Sequence, residues 1–589
     1  MSSGGREMQH RGSYHGPRFH GQFHRSSGRH RGRGQGRGGR FGRGPFRQPS
    51  SNKSVHREPV EINVQDDLVK IQEVGASDGS NVRIAIQGCS HGALDRIYDT
   101  LALYEQYLIR QEDEVQQEKK NHKIDLLLCC GDFQALRNEL DLEGMAVPQK
   151  YKEMGTFYKY YAGIKKAPIL TIFVGGNHEA SSYLQELYYG GWVAPNIYYL
   201  GACGVVRYKG IRIAGISGIY KPHDYRMGRY ERPPYDHSSL RSVYHVRNFE
   251  MAKLKVLEKI HDKKYGTSNK SPVVDIMLSH DWPRGIEQHG DTAGLIRRKT
   301  FFQQEIKDNN LGSPCNEDLL VSLRPKWWFA AHLHVKFEAV YHHKTPINNE
   351  SIPFSHASKQ SEIASNTSFI ALESSERSST ICSETVNEDL TEQMTRFLSL
   401  DKCLPRRHHL QVTNISYHDQ SQENVDCHLH YDEEWLAVLQ KTHDWTRTSK
   451  SNFPDPDVDS IDITESDIQS IQERLAEISS EKDPTIIPSN FVMTVQPFGT
   501  IGSTDRINGG RMIGNPQTDY LLNMLNLNHI VTVPYIYKVD DDKINPNGDE
   551  NEINLDMDDD SVDDDVKIAS LQTDENEISL DDASSEDAD

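Results

Sequence analysis

Five short segments that close a hydrophobic run with metal-ligating residue types constrain this chain more than any other feature. They read Gly88-Cys89-Ser90-His91, Gly131-Asp132, Gly175-Gly176-Asn177-His178-Glu179, Ser279-His280-Asp281 and His332-Leu333-His334. The first four follow the apolar stretches Val82–Ile86, Leu126–Cys130, Ile169–Val174 and Val273–Leu278. Short runs rich in Val, Ile and Leu and bounded by Gly read as strands buried on both faces. Side chains at the ends of such strands converge on one crevice, where open α/β sheets place their chemistry. One histidine after a strand is ordinary core or surface. Five such ends, with Asp and Asn among them, point to a site.

The 589 residues exceed one ordinary domain. The net charge of -20 conceals opposed ends, about +11 over Met1–Glu58 and about -19 over Val539–Asp589. Local charge therefore bears on partners more than the global balance does. No apolar stretch reaches the roughly 18 residues a membrane helix needs, so no membrane association is expected. The Arg-, Gly- and His-rich start lacks the apolar core of a secretory signal. The eight cysteines are spaced irregularly, unlike a disulfide framework. Cys129-Cys130 reads as buried packing, and a reducing, intracellular compartment is expected.

Composition divides the chain. Residues 1–60 are low-complexity, with Arg31-Gly32-Arg33-Gly34 and Arg40-Phe41-Gly42-Arg43-Gly44 at their centre. Such a tail is expected to be disordered and to touch RNA loosely through charge and through Tyr14, Phe19, Phe23, Phe41 and Phe46. Residues 80–344 alternate strands and helices, an α/β layered domain. Helices are expected over Ala93–Glu118, with Leu94, Ile97, Leu101, Tyr104 and Leu108 on one face, and over Phe157–Ile164 and Val243–Ile260. Ile197–Leu200, Val205–Tyr208 and Ile211–Ile216 read as a β-meander. Residues 345–395, rich in Ser, Glu, Asn and Thr, read as a solvated insertion. Residues 396–538 read as a smaller C-terminal α+β domain with helices near Glu433–Thr442 and Asp467–Ile478, an apolar Tyr520–Leu527, and a loop over Ser449–Asp462. Residues 539–589 read as a disordered polyanion, which could hold a basic partner.

The ligand types fit a particular chemistry. Phosphoester cleavage at a two-metal centre needs a carboxylate bridging both ions, nitrogen and oxygen donors around each, and open positions for water and substrate. The segments are similar to the metallophosphoesterase pattern Asp-x-His, Gly-Asp, Gly-Asn-His, a lone His, and Gly-His-x-His, with Cys89 and Ala331 standing where Asp and Gly are usual. That pattern implies Asp132 as the bridge, Cys89, His91 and His334 around one ion, and Asn177, His280 and His332 around the other. His178 is no ligand in it and implies proton donation to the leaving oxygen. A thiolate at position 89 favours zinc or ferrous iron over magnesium or calcium.

Longer stretches make the likeness specific. Gly88–Tyr98, Gly131–Glu139, Gly175–Ala180, Tyr189–Leu200, Gly215–Tyr220, Ser279–Pro283 and Ala331–His334 resemble the RNA lariat debranching enzymes, in which Cys replaces the usual Asp. Phe397–Arg406 and Asn515–Thr518 resemble that family's C-terminal region. The resemblance implies a layered metallophosphoesterase β-sandwich flanked by helices, and one or two divalent ions (iron, zinc or manganese). It also implies hydrolysis of the 2′–5′ phosphodiester at the branch of excised intron lariats. A monomer, nuclear with cytoplasmic shuttling, is expected, with splicing or RNA-turnover proteins as partners of the tails.

Residues 220–249 interleave cations and aromatics, the pairing that phosphates and unstacked bases require. Tyr220, Lys221, Tyr225, Arg226, Arg229, Tyr230, Arg232, Tyr244 and Arg247 are the candidate RNA contacts, and the family places a lariat recognition loop here. The residues alone do not separate a 2′–5′ from a 3′–5′ linkage. Two rivals stay open at this point: a phosphomonoesterase using the same centre, and an RNA-binding protein on an enzyme fold.

Overall fold

Alternating side chains sort into layers because successive residues of a strand face opposite sides. The computed structural model describes residues 73–74, 81–115, 122–266, 271–343, 393–416, 426–500 and 512–536. The Arg/Gly-rich start, the acidic end and nearly all of the 345–395 insertion lie outside the described residues. The strands in chain order are β1 (Glu73–Val74), β2 (Asn81–Gln87), β3 (Leu126–Cys129), β4 (Leu170–Phe173), β5 (Gly191–Ala194), β6 (Ile197–Tyr199) and β7 (Cys203–Tyr208). They continue with β8 (Ile211–Ile216), β9 (Ile276–Ser279), β10 (Trp327–Ala330), β11 (Phe337–His342), β12 (Met394–Ser399), β13 (Leu410–Ser416) and β14 (Leu429–Tyr431).

Two seven-stranded sheets result, ordered β1-β13-β2-β3-β4-β6-β5 and β11-β12-β10-β9-β8-β7-β14. β2, β3, β4 and β6 pair in parallel, as do β8, β9, β10 and β12. Val82, Ile84, Ile86, Leu126 and Leu128 of the first sheet share a buried cluster with Ile213, Ile276, Leu278, Phe329 and Leu398 of the second. That cluster is the filling of the sandwich. The opposite faces take helices: Leu127 and Phe173 pack with Ile97, Leu101 and Tyr104 of helix Leu94–Val115. Met277 and Trp328 pack with Leu254 and Leu257 of helix Asn248–Tyr265 and Leu319 and Leu320 of helix Pro314–Leu323. Burial on both faces is why the central strands read as unbroken apolar runs.

Three expectations change. The proposed meander is split: β6 joins the first sheet beside β4, while β7 and β8 form a hairpin in the second. The helix expected from Val243 begins at Asn248, where the Arg247 main-chain N–H donates to the Glu250 carboxylate at 3.0 Å and closes the first turn. The C-terminal region is not a separate sheet unit either. β12 runs between β10 and β11, and β13 pairs antiparallel with β2, so residues 394–416 complete both layers. The helices Glu433–Lys441 and Glu465–Ile478 match their expected positions within two residues. The apolar Tyr520–Leu527 falls in and just beyond helix Pro516–Met524, capped by Asn515.

Candidate metal centre

All five ligand-bearing segments leave their strands at one common edge of the sandwich. The loop after β2 is tied to the loop after β3 by His91 N–H on Asp132 O at 2.7 Å, and the loop after β10 to that after β9 by Ala331 N–H on His280 O at 3.0 Å. His91, Asp132, His332 and His334 have φ of 44°, 46°, 63° and 48°. Non-glycine residues seldom adopt this left-handed backbone, and they tend to hold it where function requires it. Close packing explains two neighbouring glycines. A Cβ on Gly131 would strike the His280 ring, and one on Gly176 would strike the Asp132 carboxylate.

Asp132 is the hub. It is buried at 1 % exposure, with His280 Nε2 3.3 Å from Oδ1 and His91 Nε2 3.6 Å from Oδ2. The main-chain N–H of His178 donates to Oδ1 at 2.9 Å. Burial pushes this carboxyl up, but His280, His178 and His91 and that N–H outweigh it and keep the group ionised. Cys89, His91, Asp132 and His334 bring one donor atom each within 4.8 Å of one another, and His91 Nε2 lies 3.4 Å from His334 Nε2. On the other side Asn177 Oδ1 is 3.1 Å from His280 Nε2, and the His280 and His332 rings pack tilted by 56° with centroids 4.9 Å apart.

This donor set fits divalent ions. Burial lowers His332 to about 3, with His280 adding to the shift, and lowers His334 to about 2, with His91 adding. Both are neutral imidazoles, the form that ligates. His280 donates Nδ1–H to the carbonyl of Cys130 at 2.8 Å. That bond fixes the tautomer and turns the Nε2 lone pair toward Asp132 and Asn177. Burial and then Asp132 push the Cys89 thiol well up, so ionising it there calls for a cation alongside.

Residues 82–336 match the model for calcineurin-like phosphoesterases, and residues 392–530 match the model for the lariat debranching enzyme C-terminal domain. The lariat debranching enzyme of Schizosaccharomyces pombe is 40 % identical over 471 residues, covering 74 % of this chain and 94 % of that protein. The chain belongs to the lariat debranching enzyme family. The enzyme of that name from Danio rerio is 43 % identical over 450 residues, 76 % of this chain and 66 % of its own length. The human one is 44 % identical over 414 residues, 70 % and 63 %. The match thus takes in just under two thirds of these two vertebrate relatives.

The family's C-terminal region reaches the centre itself. Gly88 N–H donates to His409 O, and Cys403 N–H to Cys89 O, both at 2.9 Å, so the loop after β12 braces the Cys89 turn. Sequence reading also missed Glu179. Its buried carboxyl oxygens accept from the N–H groups of Phe133 at 2.6 Å, Gln134 at 2.8 Å and Gly176 at 3.1 Å. It clamps the Asp132 loop to the Asn177 loop. Burial, with Asp132 beside it, raises Glu179 to about 8. Its signal was in plain view, an acid closing Gly-Gly-Asn-His-Glu.

His178 is partly exposed and lines a cleft of about 400 Å³ with His91, Gln134 and Lys402. A second cleft of about 290 Å³ has Asn177, His178, Arg241 and Tyr244 on its walls. Of the candidate RNA contacts, Tyr244 shares that wall with His178, and the charge of Lys221 acts on Asp281 and His332.

Two candidates need correction. Arg229 is buried and grips Glu250 with Nε and Nη2, both at 2.8 Å. Arg247 has no exposed surface and meets Glu231 at 2.5 Å. These are internal ion pairs, and neither guanidinium faces the clefts. Others have partners at the surface. Arg226 pairs with Asp455 at 2.7 Å, Arg232 donates to the carbonyls of Arg229 and Glu231, and the Tyr230 hydroxyl lies 3.0 Å from Ser242 Oγ. Tyr220 packs edge-on against Tyr225 at 5.3 Å.

Proposed function

We propose that the chain is a metal-dependent phosphodiesterase that opens the 2′–5′ bond at the branch of lariat RNA. The observation that carries this is Asp132 held between two sets of neutral nitrogen, oxygen and sulfur donors, in a chain of the lariat debranching family. Cys89, His91, His334 and Asp132 would hold one ion, and Asp132, Asn177, His280 and His332 the other. When bound, such ions supply Lewis acidity toward the phosphate oxygens and lower the pKa of a water.

The chain's own residues do the rest. Asp132 stays anionic and fixes the His178 main chain through its N–H. That bond leaves the His178 imidazole facing the cleft, positioned to protonate the departing 2′-oxygen. Glu179 holds the two loops in register by three main-chain N–H contacts. His280, locked by Cys130 O, cannot rotate away from its position. The product is linear RNA for turnover. A nuclear location follows from where that substrate arises, and the monomeric state belongs to the same reading. No helix among the described residues is long and apolar enough to cross a membrane.

Cleavage of RNA carrying one 2′–5′ branch, against a linear 3′–5′ control and a phosphomonoester, tests the proposal. Cutting at the branch alone is expected, abolished by a chelator and restored by manganese, ferrous iron or zinc. Hydrolysis of the monoester with both RNAs left intact would replace the reading with a phosphomonoesterase.

The donor at position 89 makes a further prediction. Cys89→Asp exchanges a soft donor for a hard one and should shift metal preference from zinc or iron toward manganese or magnesium. Metal content after equilibration with an equimolar mixture reads this directly. An unchanged metal profile would place Cys89 outside the ligand sphere.

A further inference from the structure

We infer that the loop Asp401–Arg407, with the end of helix Thr292–Arg298, binds the phosphates of a single-stranded RNA arm leaving the branch. The inference rests on the RNA reading above and names a surface that reading did not use.

The loop is built against the centre. Its Cys403 N–H holds Cys89 O at 2.9 Å, and Lys402 lines the same cleft as His91 and His178. Helix Thr292–Arg298 is anchored beside it, because Arg298 Nη1 donates at 3.0 Å to the carbonyl of Lys336, two residues past His334. Cations gather where these elements meet. Arg407 Nη1 lies 3.4 Å from Asp401 Oδ2, and the main-chain N–H of Lys402 donates to Oδ1 at 2.7 Å, which sets the Lys402 side chain beside it. Lys299 feels the same carboxylate. Burial, and then the repulsion of Arg407 and Lys402 against the pull of Asp401, lowers its ammonium. Arg407, Lys299 and Lys402 thus all act on the one Asp401 carboxylate.

Around this cluster the surface suits RNA. Arg406 is exposed, Phe301 and Leu404 are 45 % and 42 % exposed, and the Lys299 ammonium sits 5.8 Å from the Phe301 ring centre. Charge for phosphates beside an open ring for a base is the platform unpaired RNA uses. Continuity decides between RNA and an acidic protein. Lys402 belongs to both the cleft and the cluster, so a strand whose phosphate sits at the centre can run onto this surface without leaving it. The 220–249 segment offers less, since Arg229 and Arg247 are consumed inside.

The test uses the full chain and two RNAs with an uncleavable branch, one minimal and one with a single arm lengthened by about six nucleotides. Binding is read by fluorescence anisotropy across a salt series. The wild-type protein is expected to bind the longer arm about tenfold more tightly. Lys299→Gln with Arg406→Gln should erase that advantage and reduce the salt slope by about 1.4, roughly 0.7 per lost contact on a single strand. Lys263→Gln, which removes an exposed cation paired with Asp462 at the end of helix Asn248–Tyr265, serves as the comparator and should keep both values. A thermal melt shows whether the double variant folds, and Lys402→Gln alone gives an independent reading of the same ratio. If arm length gains nothing, or the double variant keeps the gain, the inference is wrong. If a poly-glutamate peptide is lost by the double variant while the RNA arm is retained, the surface is for acidic protein and the inference is equally overturned. Failure of the debranching reading looks different: an ordinary cleavable branch would then be left intact, whatever the arm length does to affinity.

Discussion

His178→Ala is expected to slow branch cleavage by about 10²- to 10⁴-fold, the usual worth of a positioned general acid, while metal content stays at the wild-type level. The separation is built into the geometry. What His178 gives Asp132 is its main-chain N–H, 2.9 Å from Oδ1, and alanine keeps that bond. What is lost is an imidazole whose Nδ1 lies 3.6 Å from Asp132 Oδ2 and whose side chain is 19 % exposed to the cleft. A proton donor acts on the transition state, so kcat should fall with little change in KM. The loss should shrink on a substrate whose leaving oxygen needs no proton, such as an aryl ester of the same nucleotide. A variant equally impaired on both substrates, or one that has shed metal, would assign His178 to the ligand sphere instead.

The centre was legible because its signals are local. A short apolar run, then Gly, Ser or Ala, then Cys, His, Asp or Asn, marks a strand end, and three such ends of one sheet meet two of the other at one edge of the sandwich. The same logic found helices Glu433–Lys441 and Glu465–Ile478, whose caps Asp432 and Thr464 lie next to their first turns. What could not be read depends on partners far away. β6 and β7 are three residues apart, yet one pairs with β4 and the other with β14, and no local pattern distinguishes them. β13 reaches β2 across more than 300 residues, so no local pattern told that the chain after 345–395 returns to complete both sheets. Arg229 and Arg247 in the 220–249 segment were misread for another reason. Cations and aromatics alternate alike in an RNA-facing loop and in a buried network. The sign that separates them was the acids nearby, Asp224 and Glu231 within the segment and Glu250 just after it.

Those acids set the second large effect. Arg229→Ala should destabilise the fold by about 3–5 kcal/mol, the cost of leaving a buried charge without its partner, and should act on RNA affinity only through the loss of folded protein. Arg229 makes two bonds to Glu250 at 2.8 Å and one to Val243 O at 2.6 Å. Glu250 in turn accepts from Tyr188 at 3.1 Å and from the Arg247 N–H at 3.0 Å. Removing the guanidinium therefore strands a carboxylate against an apolar layer and loosens the start of helix Asn248–Tyr265. The pH dependence has a definite sign. Burial pushes Glu250 up, but Arg229 outweighs it and holds the group below its ordinary 4.5. A depressed carboxyl stabilises the fold above its unfolded value and stops doing so as pH falls through the folded one. The wild-type protein should thus lose this contribution only in acid, below about pH 4.5, while the variant lacks it already at pH 7. Arg229→Ala with Glu250→Gln should recover part of the loss, since the stranded charge is gone. Denaturant midpoints of the three proteins at pH 7 and pH 4 measure it. A single variant as stable as wild type, but weaker on branched RNA, would return Arg229 to the substrate surface.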